Sequence, residues 1–259
     1  MKSEARSGNK NSVLSEQATK VTGEKVFNLI NDIAISKFSL NNDYSELSDC
    51  YMQYLTDWDI VRPQNTKKLH TLFLRFSGLF RNYVTSYCAL IDQLNSAHKK
   101  INNVELEQNY VSQLKKTQML EKGRFAGDFR NYCIHKRLPI TRARIGISVK
   151  PDGTTTPKII GFGKDSELSF QLSELLKWSG WSVTSKSYFQ RFGTVHRDDV
   201  LIIRLVNDWQ KSLAQFCRWF ANEVQTLCAK EIDEYVSEMK AKNKSQQEFL
   251  SKIWENSSI

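Results

Sequence analysis

The chain has 259 residues, of which 40% are hydrophobic, and its formal net charge at pH 7 is +9. This length and composition can bury a sizeable core, which excludes an intrinsically disordered protein. No stretch approaches the roughly 20 apolar residues of a membrane span, and the polar first residues lack the apolar core of a signal peptide. The excess of Lys and Arg favours an anionic partner, with nucleic acid first and an acidic membrane surface second.

The cysteines and carboxylates argue against a disulfide framework and against a metal site. The five cysteines form no Cys-x-x-Cys pair and no Cys/His spacing typical of zinc, and their number is odd. No set of His, Asp and Glu has metal-ligand spacing. We therefore predict a soluble cytoplasmic protein that needs no metal and no other cofactor.

The ends of the chain differ in composition from its middle. Residues 1–22 are rich in polar residues and lack apolar periodicity, which predicts a flexible N-terminal tail, and 246–259 are predicted to form a C-terminal tail. No linker and no fixed-period repeat divides the part between them. We therefore predict one helical domain over 23–245.

Apolar residues recur at helical spacing in several segments before residue 140. The predicted helices run from Glu24 to a turn at Asn41-Asn42-Asp43, around Leu47 to Leu55, from Leu69 to Leu94 and from Val104 to about Lys136. Only Asn102-Asn103 separates the last two helices. So short a connection predicts that these two long helices are antiparallel.

The pattern changes to an alternation of apolar and polar residues between Ala143 and Val149. A turn at Pro151 then leads into a second apolar run, which predicts a β-hairpin near 142–164. A short helix from Glu167 to Trp178 and a strongly helical stretch from Asp198 to about Lys242 follow. The predicted fold class is mainly α, a helical bundle with a small inserted β-hairpin.

One short motif, Arg130-Asn131-Tyr132-Cys133-Ile134-His135, carries the groups that cleave RNA without a metal. Arginine can hold a phosphate oxygen, asparagine can orient a neighbour or a hydroxyl, and histidine can accept and donate a proton near neutral pH. The motif lies at a helix end, because the residue before Pro139 is pushed out of helical geometry. The negative end of the helix dipole favours the imidazolium form of His135 there.

The helical spacing also separates the arginine of the motif from its histidine. Arg130 lies about 140° around the helix axis from His135, so the two side chains cannot lie side by side on one straight helix. A second copy of the motif, supplied by a symmetric homodimer, would complete the site.

A group of basic residues begins directly after His135. Lys136, Arg137, Arg142 and Arg144 are candidate RNA-binding residues, and Lys150 and Lys158 continue the group on the predicted hairpin. Such a patch would attract an RNA backbone. A basic hairpin that merely keeps the protein soluble fits the same residues equally well.

The motif from Arg130 to His135 resembles the Arg-x4-6-His motif of HEPN proteins (higher eukaryotes and prokaryotes nucleotide-binding), in the form with a polar residue directly after the arginine. Leu138-Pro139 is also similar to many bacterial members. The resemblance implies a HEPN-like helical bundle that dimerises to place two motifs in one cleft. It further implies a metal-independent endoribonuclease of a toxin-antitoxin or anti-phage system, with an antitoxin or another defence protein as a partner.

In this resemblance Arg130, Asn131 and His135 are the catalytic residues, with Asn131 in a supporting role. One departure concerns regulation: the subgroup paired with nucleotidyltransferase antitoxins has a tyrosine two residues after the histidine, where this chain has Arg137.

Other interpretations of the motif remain open. Arg130 and His135 can belong to a solvated polar face or to an interhelical hydrogen bond. The chain can also be a non-catalytic HEPN-like dimeric module that binds nucleic acid or regulates a partner. A DNA-binding regulator is a further option, although no reading helix is recognisable. Phe80-Arg81-Asn82-Tyr83 repeats the start of the motif without its histidine, and we predict that this segment serves the core.

Overall fold

The computed structural model describes residues 22–136, 138–139, 141–150, 158–162, 166–194 and 198–242. Its helices are α1 Gly23–Thr56, α2 Thr66–Ile101, α3 Val104–Lys116, α4 Met119–His135, α5 Leu172–Leu176, α6 Val183–Phe192, α7 Ile202–Leu227 and α8 Ala229–Lys242. Its strands are β1 Thr141–Arg144, β2 Ile147–Lys150, β3 Lys158–Phe162, β4 Glu167–Gln171, β5 Gly193–Thr194 and β6 Asp199–Leu201. The prediction of a mainly α protein with a small β insert is confirmed.

The helix α1 is continuous through Asn41-Asn42-Asp43, so the prediction of two helices separated by a turn there is wrong. Leu40 and Leu47 are both buried and continue one apolar stripe across these residues. The polar side chains are used in tertiary contacts: Asn41 accepts a hydrogen bond from Gln210, and Asp43 accepts one from Ser86 on α2. A turn signal in the sequence is therefore overridden by partners on neighbouring helices.

The predicted break between α2 and the next helix is confirmed. Asn102 adopts a left-handed conformation with φ of 50° and ends α2, and the Asn103 side chain accepts a hydrogen bond from Leu106 N at 3.0 Å and caps α3. The prediction of a single long helix after this break is wrong, however, because α3 and α4 are separated at Thr117 and Gln118. Gln118 has a φ of 59° and redirects the chain.

The sheet region differs in two ways from the prediction of a hairpin followed by a short helix. The strands β2 and β3 form the expected antiparallel pair, but β1 pairs with β4 in a separate sheet of order β1-β4-β6-β5, so the predicted strand is divided at Ile145-Gly146. The helix predicted from Glu167 is wrong in its first half, because residues 167–171 form β4. Leu168 and Phe170 are buried and alternate with polar residues, which is the period of a strand.

Aromatic packing holds α4 between α2, α6 and α7. Phe129 on α4 packs edge-to-face on Phe80 of α2 with ring centroids 5.0 Å apart, and the Tyr87 hydroxyl of α2 reaches the Met119 sulfur at 3.5 Å. These pairs run in opposite directions along the two helices, so α2 and α4 are antiparallel, as predicted. On the other side, Phe125 packs 5.6 Å from Trp209 of α7. The helix α4 is therefore held on an aromatic core from Met119 to Phe129.

The predicted tails lie outside the described residues, apart from Thr22. Its hydroxyl accepts a hydrogen bond from Lys25 N at 3.3 Å and caps α1. Among the helices of the described ranges, none is both long enough and apolar enough to cross a membrane.

Candidate functional site

The motif predicted from the sequence occupies the last two turns of α4. That helix ends at His135, and Lys136 N donates a hydrogen bond to Tyr132 O at 2.9 Å in its final turn. Phe129, Tyr132 and Cys133 are buried on the core face. Asn131 and His135 are exposed, and Arg130 is half-buried. The chemically useful side chains of the motif thus lie towards solvent, and the intervening ones serve the core.

Arg130 lies on the side of α4 that faces α2. Its Nη1 atom is 3.9 Å from Oδ2 of Asp92, and 37% of the Arg130 side chain and 73% of the Asp92 side chain are exposed. A long and exposed ion pair of this kind contributes little to stability, because water and salt screen it. The Arg130 guanidinium can therefore exchange this carboxylate for a phosphate at small cost.

His135 lies on the opposite side of the same helix. It follows Asp128 by two helical turns, and Asp128 faces α6, where it accepts hydrogen bonds from Ser182 N at 3.0 Å and Ser185 Oγ at 2.6 Å. Because α4 remains helical throughout, Arg130 and His135 keep their separation of about 140° around the axis. A single chain therefore presents Arg130 and His135 on different flanks of α4.

The contact with α6 also changes the acidity of Asp128. Burial alone would raise the pKa of this carboxyl, but the hydrogen bonds from Ser182 and Ser185 outweigh it and lower the pKa below its usual range. The ionised Asp128 thereby attaches the start of α6 to the helix that carries the motif.

The thiol inside the motif is not available as a nucleophile. Cys133 is 8% exposed, and burial raises its pKa to about 12, although the charge of Arg81 opposes the shift. A thiol with so high a pKa is almost entirely protonated at neutral pH, and only the thiolate attacks. All five cysteines of the chain are buried and none forms a disulfide.

The predicted RNA-binding residues have different surroundings. Lys136 is exposed directly beside His135, and Arg137 lies outside the described residues. Arg142 Nη1 is 3.4 Å from Oδ2 of Asp198. Arg144 is only 27% exposed and is held between Glu167 Oε2 at 3.2 Å and Asp199 Oδ2 at 2.6 Å. Arg142 and Arg144 are therefore paired with carboxylates. Lys136 is the described member of the group that lies next to the motif.

A second arginine lies beside the motif, and sequence reasoning did not assign it a role. Arg81 on α2 is exposed, and its charge acts on the Cys133 thiol of α4. Its neighbours Phe80 and Tyr83 are fully buried, which confirms the prediction that they serve the core. The apolar stripe of α2 could have identified Arg81 as a surface residue, but its position near the site depends on the packing of α2 against α4 and has no signal in the sequence.

No protein-family model matches this chain, and neither a curated protein nor a solved structure matches it. The resemblance to HEPN proteins therefore rests on the motif and on the helical architecture around it, and it remains a prediction. Among the described residues, no group of three or more His, Cys, Asp or Glu side chains is arranged to hold a metal ion.

Proposed function

We propose that the protein is a metal-independent endoribonuclease of the HEPN type, with Arg130, Asn131 and His135 as its catalytic residues. The observation that carries this proposal is that α4 divides the motif between its solvent side and its core side. Asn131 and His135 are exposed and Arg130 is half-buried, while Tyr132 and Cys133 between them are buried. All three groups are therefore open to solvent, Arg130 on one flank of α4 and His135 on another.

Each group has a defined task in the proposed reaction. The imidazole of His135 accepts the proton of a ribose 2′-hydroxyl, and the 2′-oxygen attacks the adjacent phosphorus. The bond from phosphorus to the 5′-oxygen breaks, and the leaving 5′-oxygen takes up the proton that the imidazolium gives back. The products are a 2′,3′-cyclic phosphate and a 5′-hydroxyl. Arg130 holds the non-bridging oxygens and stabilises their developing charge, and Asn131 orients His135 or the substrate.

The proposed active form is a homodimer in which α4 contacts its symmetry mate. Leu120 and Ile134 on α4 are 60% and 63% exposed. Gly127 stands midway between them at a spacing of seven residues, which keeps all three on one side of the helix. A Cβ atom at Gly127 would meet nothing within 4 Å, so a partner helix can approach closely. A symmetric contact centred near Ile134 would bring two motifs into one cleft.

The biological role follows from the resemblance alone and belongs to the same proposal. A cytoplasmic ribonuclease of this type would act in a toxin-antitoxin pair or in anti-phage defence, with RNA as its substrate and an antitoxin or defence protein as its partner. The net charge of +9 supports attraction to RNA.

A second candidate function is a non-catalytic dimeric module that binds nucleic acid or regulates a partner. The observation in its favour is that Arg130 contacts Asp92 and lies on a different flank of α4 from His135. This candidate retains the fold and the charge without the cleavage chemistry.

Cleavage of single-stranded and structured RNA in the presence of EDTA tests the leading proposal. We expect wild-type protein to cut RNA and to leave 2′,3′-cyclic phosphate ends. His135→Ala and Arg130→Ala should each lower the rate by about 100-fold or more, because each removes an interaction made in the transition state. His70→Ala, an exposed histidine on α2, and Arg124→Ala, an exposed arginine on α4, are the matched controls and should retain activity.

Two results would contradict the ribonuclease proposal: no cleavage by the wild type, or equal cleavage by wild type and His135→Ala. If cells that express Arg130→Ala or His135→Ala keep an intact toxicity or defence phenotype, the non-catalytic module is the better description.

A further inference from the structure

Two arginines, Arg81 on α2 and Arg130 on α4, lie where these helices pack against each other. The residues directly before them, Phe80 and Phe129, pack edge-to-face with ring centroids 5.0 Å apart. Successive residues of a helix are separated by only about 1.5 Å along its axis. The contact between the two phenylalanines therefore brings both arginines to the same part of the interface.

Both arginines also lie on the same side of the helix pair. Burial raises the pKa of Cys133 on α4, and the charge of Arg81 on α2 opposes that rise. Burial likewise raises the pKa of Cys88 on α2 to about 11, and the charge of Arg130 on α4 opposes it. The seven-residue spacing from Arg81 to Cys88 keeps them on one face of α2. The three-residue spacing from Arg130 to Cys133 keeps these two on one face of α4, so both cations border one seam between α2 and α4.

The two arginines of this seam differ in the charge that surrounds them. Arg81 is exposed, and within the described residues no carboxylate lies at ion-pair distance from its guanidinium. Arg130 has Asp92 of α2 as its neighbour, with 3.9 Å between Nη1 and Oδ2, and 73% of the Asp92 side chain is exposed. So long and exposed an ion pair is weak. The seam therefore offers one uncompensated guanidinium and a second that can exchange its carboxylate for another anion.

The distance along the seam determines what the two cations can bind. Arg81 and Asp92 are eleven residues apart on α2, which is about 16 Å along the helix axis. Side chains on a helix point towards its N-terminus, so the Arg81 side chain extends away from Asp92 and from the Arg130 guanidinium beside it. The two guanidiniums are therefore too far apart for a single phosphate group. They can hold different phosphates of one strand, because a nucleic-acid backbone repeats its charge along its length.

We propose that the seam between α2 and α4 binds the phosphodiester backbone of an RNA strand, with Arg81 and Arg130 on different phosphates. A guanidinium matches phosphate oxygens with a planar fork of N–H donors. A strand held at Arg81 continues along α4 to Arg130, so Arg81 is a substrate-binding residue that determines the path of the strand at the proposed catalytic site. The choice of RNA as the ligand rests on the proposed ribonuclease function, but the binding itself can be measured without cleavage.

Fluorescence anisotropy of a labelled single-stranded RNA tests the proposal in the His135→Ala background, in which the RNA stays intact. Adding Arg81→Gln should weaken binding by about fivefold, because one charge-assisted phosphate contact is lost. The logarithm of the affinity falls linearly with the logarithm of the salt concentration, and the loss of one phosphate contact should reduce that slope by about 0.7. Loss of a side chain with only a structural role would leave the slope unchanged.

Two further variants in the same background locate the binding. Arg75→Gln removes the same charge from α2, but Arg75 lies about 120° around the helix from Arg81 and donates a hydrogen bond to Gln53 Oε1 of α1 at 3.3 Å. It should leave the salt slope unchanged and the affinity within about twofold of the parent. Asp92→Asn removes the carboxylate beside Arg130 and should tighten binding by about twofold. All three substituted side chains are exposed, and thermal melting verifies that the variants fold.

The outcomes distinguish this proposal from the ribonuclease proposal. A weaker affinity and a smaller salt slope in Arg81→Gln, with neither change in Arg75→Gln, support the seam as the binding site whether or not the wild type cleaves RNA. Equal effects of the two arginine variants, or an unchanged slope in Arg81→Gln, overturn it even if the wild type cleaves RNA. Absence of RNA binding by His135→Ala, or weaker binding in Asp92→Asn, overturns it as well.

Discussion

Lys122 on α4 is a charged residue inside the core, with 2% of its side chain exposed. Its Nζ atom lies 2.7 Å from Oδ2 of Asp208 on α7 and also donates hydrogen bonds to Ser212 Oγ at 2.6 Å and to Asp208 O at 3.2 Å. The Tyr188 hydroxyl of α6 donates to the same Asp208 carboxylate at 3.1 Å. This network joins α4, α6 and α7 at one point and holds the helix that carries the motif.

Replacement of Lys122 by methionine should therefore destabilise the fold. Lys122→Met preserves most of the side-chain volume but leaves the Asp208 carboxylate without its cation. We expect the free energy of unfolding to fall by about 3 kcal/mol, at the lower end for a broken buried pair because 37% of the Asp208 side chain is exposed. Urea unfolding followed by circular dichroism measures the change. Lys211→Met, at an exposed lysine of α7, should cost less than about 1 kcal/mol, and an equal loss in both variants would contradict this account.

The positions of Arg130 and His135 on α4 could be predicted from the sequence, because they depend only on local helix geometry. An arginine and a histidine five positions apart on a helix must diverge by about 140°, and that conclusion holds in the structure because α4 is unbroken from Met119 to His135. The engagement of Arg144 could not be predicted. Its partners Glu167 and Asp199 are distant in sequence, and only the pairing of strands brings them together.

At the scale of elements, the junction of α4 with α6 orients the candidate site. Asp128 of α4 accepts hydrogen bonds from Ser182 N and Ser185 Oγ at the beginning of α6, and the Trp181 indole N–H donates to Leu175 O at 2.7 Å. The Trp181 ring also stacks on Tyr132 of the motif, with centroids 5.4 Å apart. A displacement of α6 would therefore also move the last turn of α4, which contains His135.

The lowered pKa of Asp128 predicts a pH-dependent contribution to stability. A carboxyl whose pKa is lower in the folded state stabilises above its unfolded pKa of about 3.9, and the contribution disappears as the pH falls through the folded pKa. Asp128→Asn should therefore lower the free energy of unfolding by about 1 kcal/mol at pH 7, and the difference from wild type should shrink towards pH 3. Urea titrations at both pH values measure this.

Asp233→Asn, at an exposed position on α8, is the control for the loss of one carboxylate and should change stability by less than about 0.5 kcal/mol at pH 7. A difference between wild type and Asp128→Asn that stayed the same at pH 3 would argue against the hydrogen bonds from Ser182 and Ser185 as its cause.

Element boundaries were predicted well where a local signal decided them and poorly where neighbours did. Asn102 and Asn103 end one helix and cap the next with their own backbone and side chain, so the break after α2 was predictable. The strand β4 was not, because an alternation of only two apolar residues, Leu168 and Phe170, is too short a signal to distinguish a strand from the start of a helix. Its pairing with β1 and β6 decides the strand conformation.

At the scale of the whole molecule, the proposed dimer gives a role to the exposed apolar residues of α4. Leu120 and Ile134 are large, exposed and aligned on the helix that carries the motif. Isolated exposed apolar residues are common on protein surfaces, but an aligned pair on either side of an open glycine favours a helix contact.

Substitution of Ile134 by arginine should separate the proposed dimer, because a symmetric contact would place two buried charges opposite each other. We expect wild type to have the mass of a dimer in light scattering after size-exclusion chromatography, and Ile134→Arg to have that of a monomer. Phe38→Arg changes an exposed apolar residue on α1 and should keep the wild-type mass. A monomeric wild type, or a dimeric Ile134→Arg, would rule out this interface.

The proposed dimer also predicts complementation between inactive variants. If Arg130 of one copy acts with His135 of the other, an equal mixture of Arg130→Ala and His135→Ala after subunit exchange should recover about a quarter of the wild-type cleavage rate. About half of the dimers would then be mixed, and each would contain one intact site. Recovery no greater than the sum of the two variants would argue for a site formed within one chain.

The helical class, the length of α2 and the position of the motif at a helix end were determined by local properties: apolar periodicity, capping residues and the proline after the motif. The continuity of α1, the division of α3 from α4 and the four-stranded sheet were decided by tertiary contacts. Tertiary contacts also decided the engagement of Arg142 and Arg144 by carboxylates. These features depend on residues far apart in sequence, whose contact energies outweigh local preferences of about 1 kcal/mol per residue.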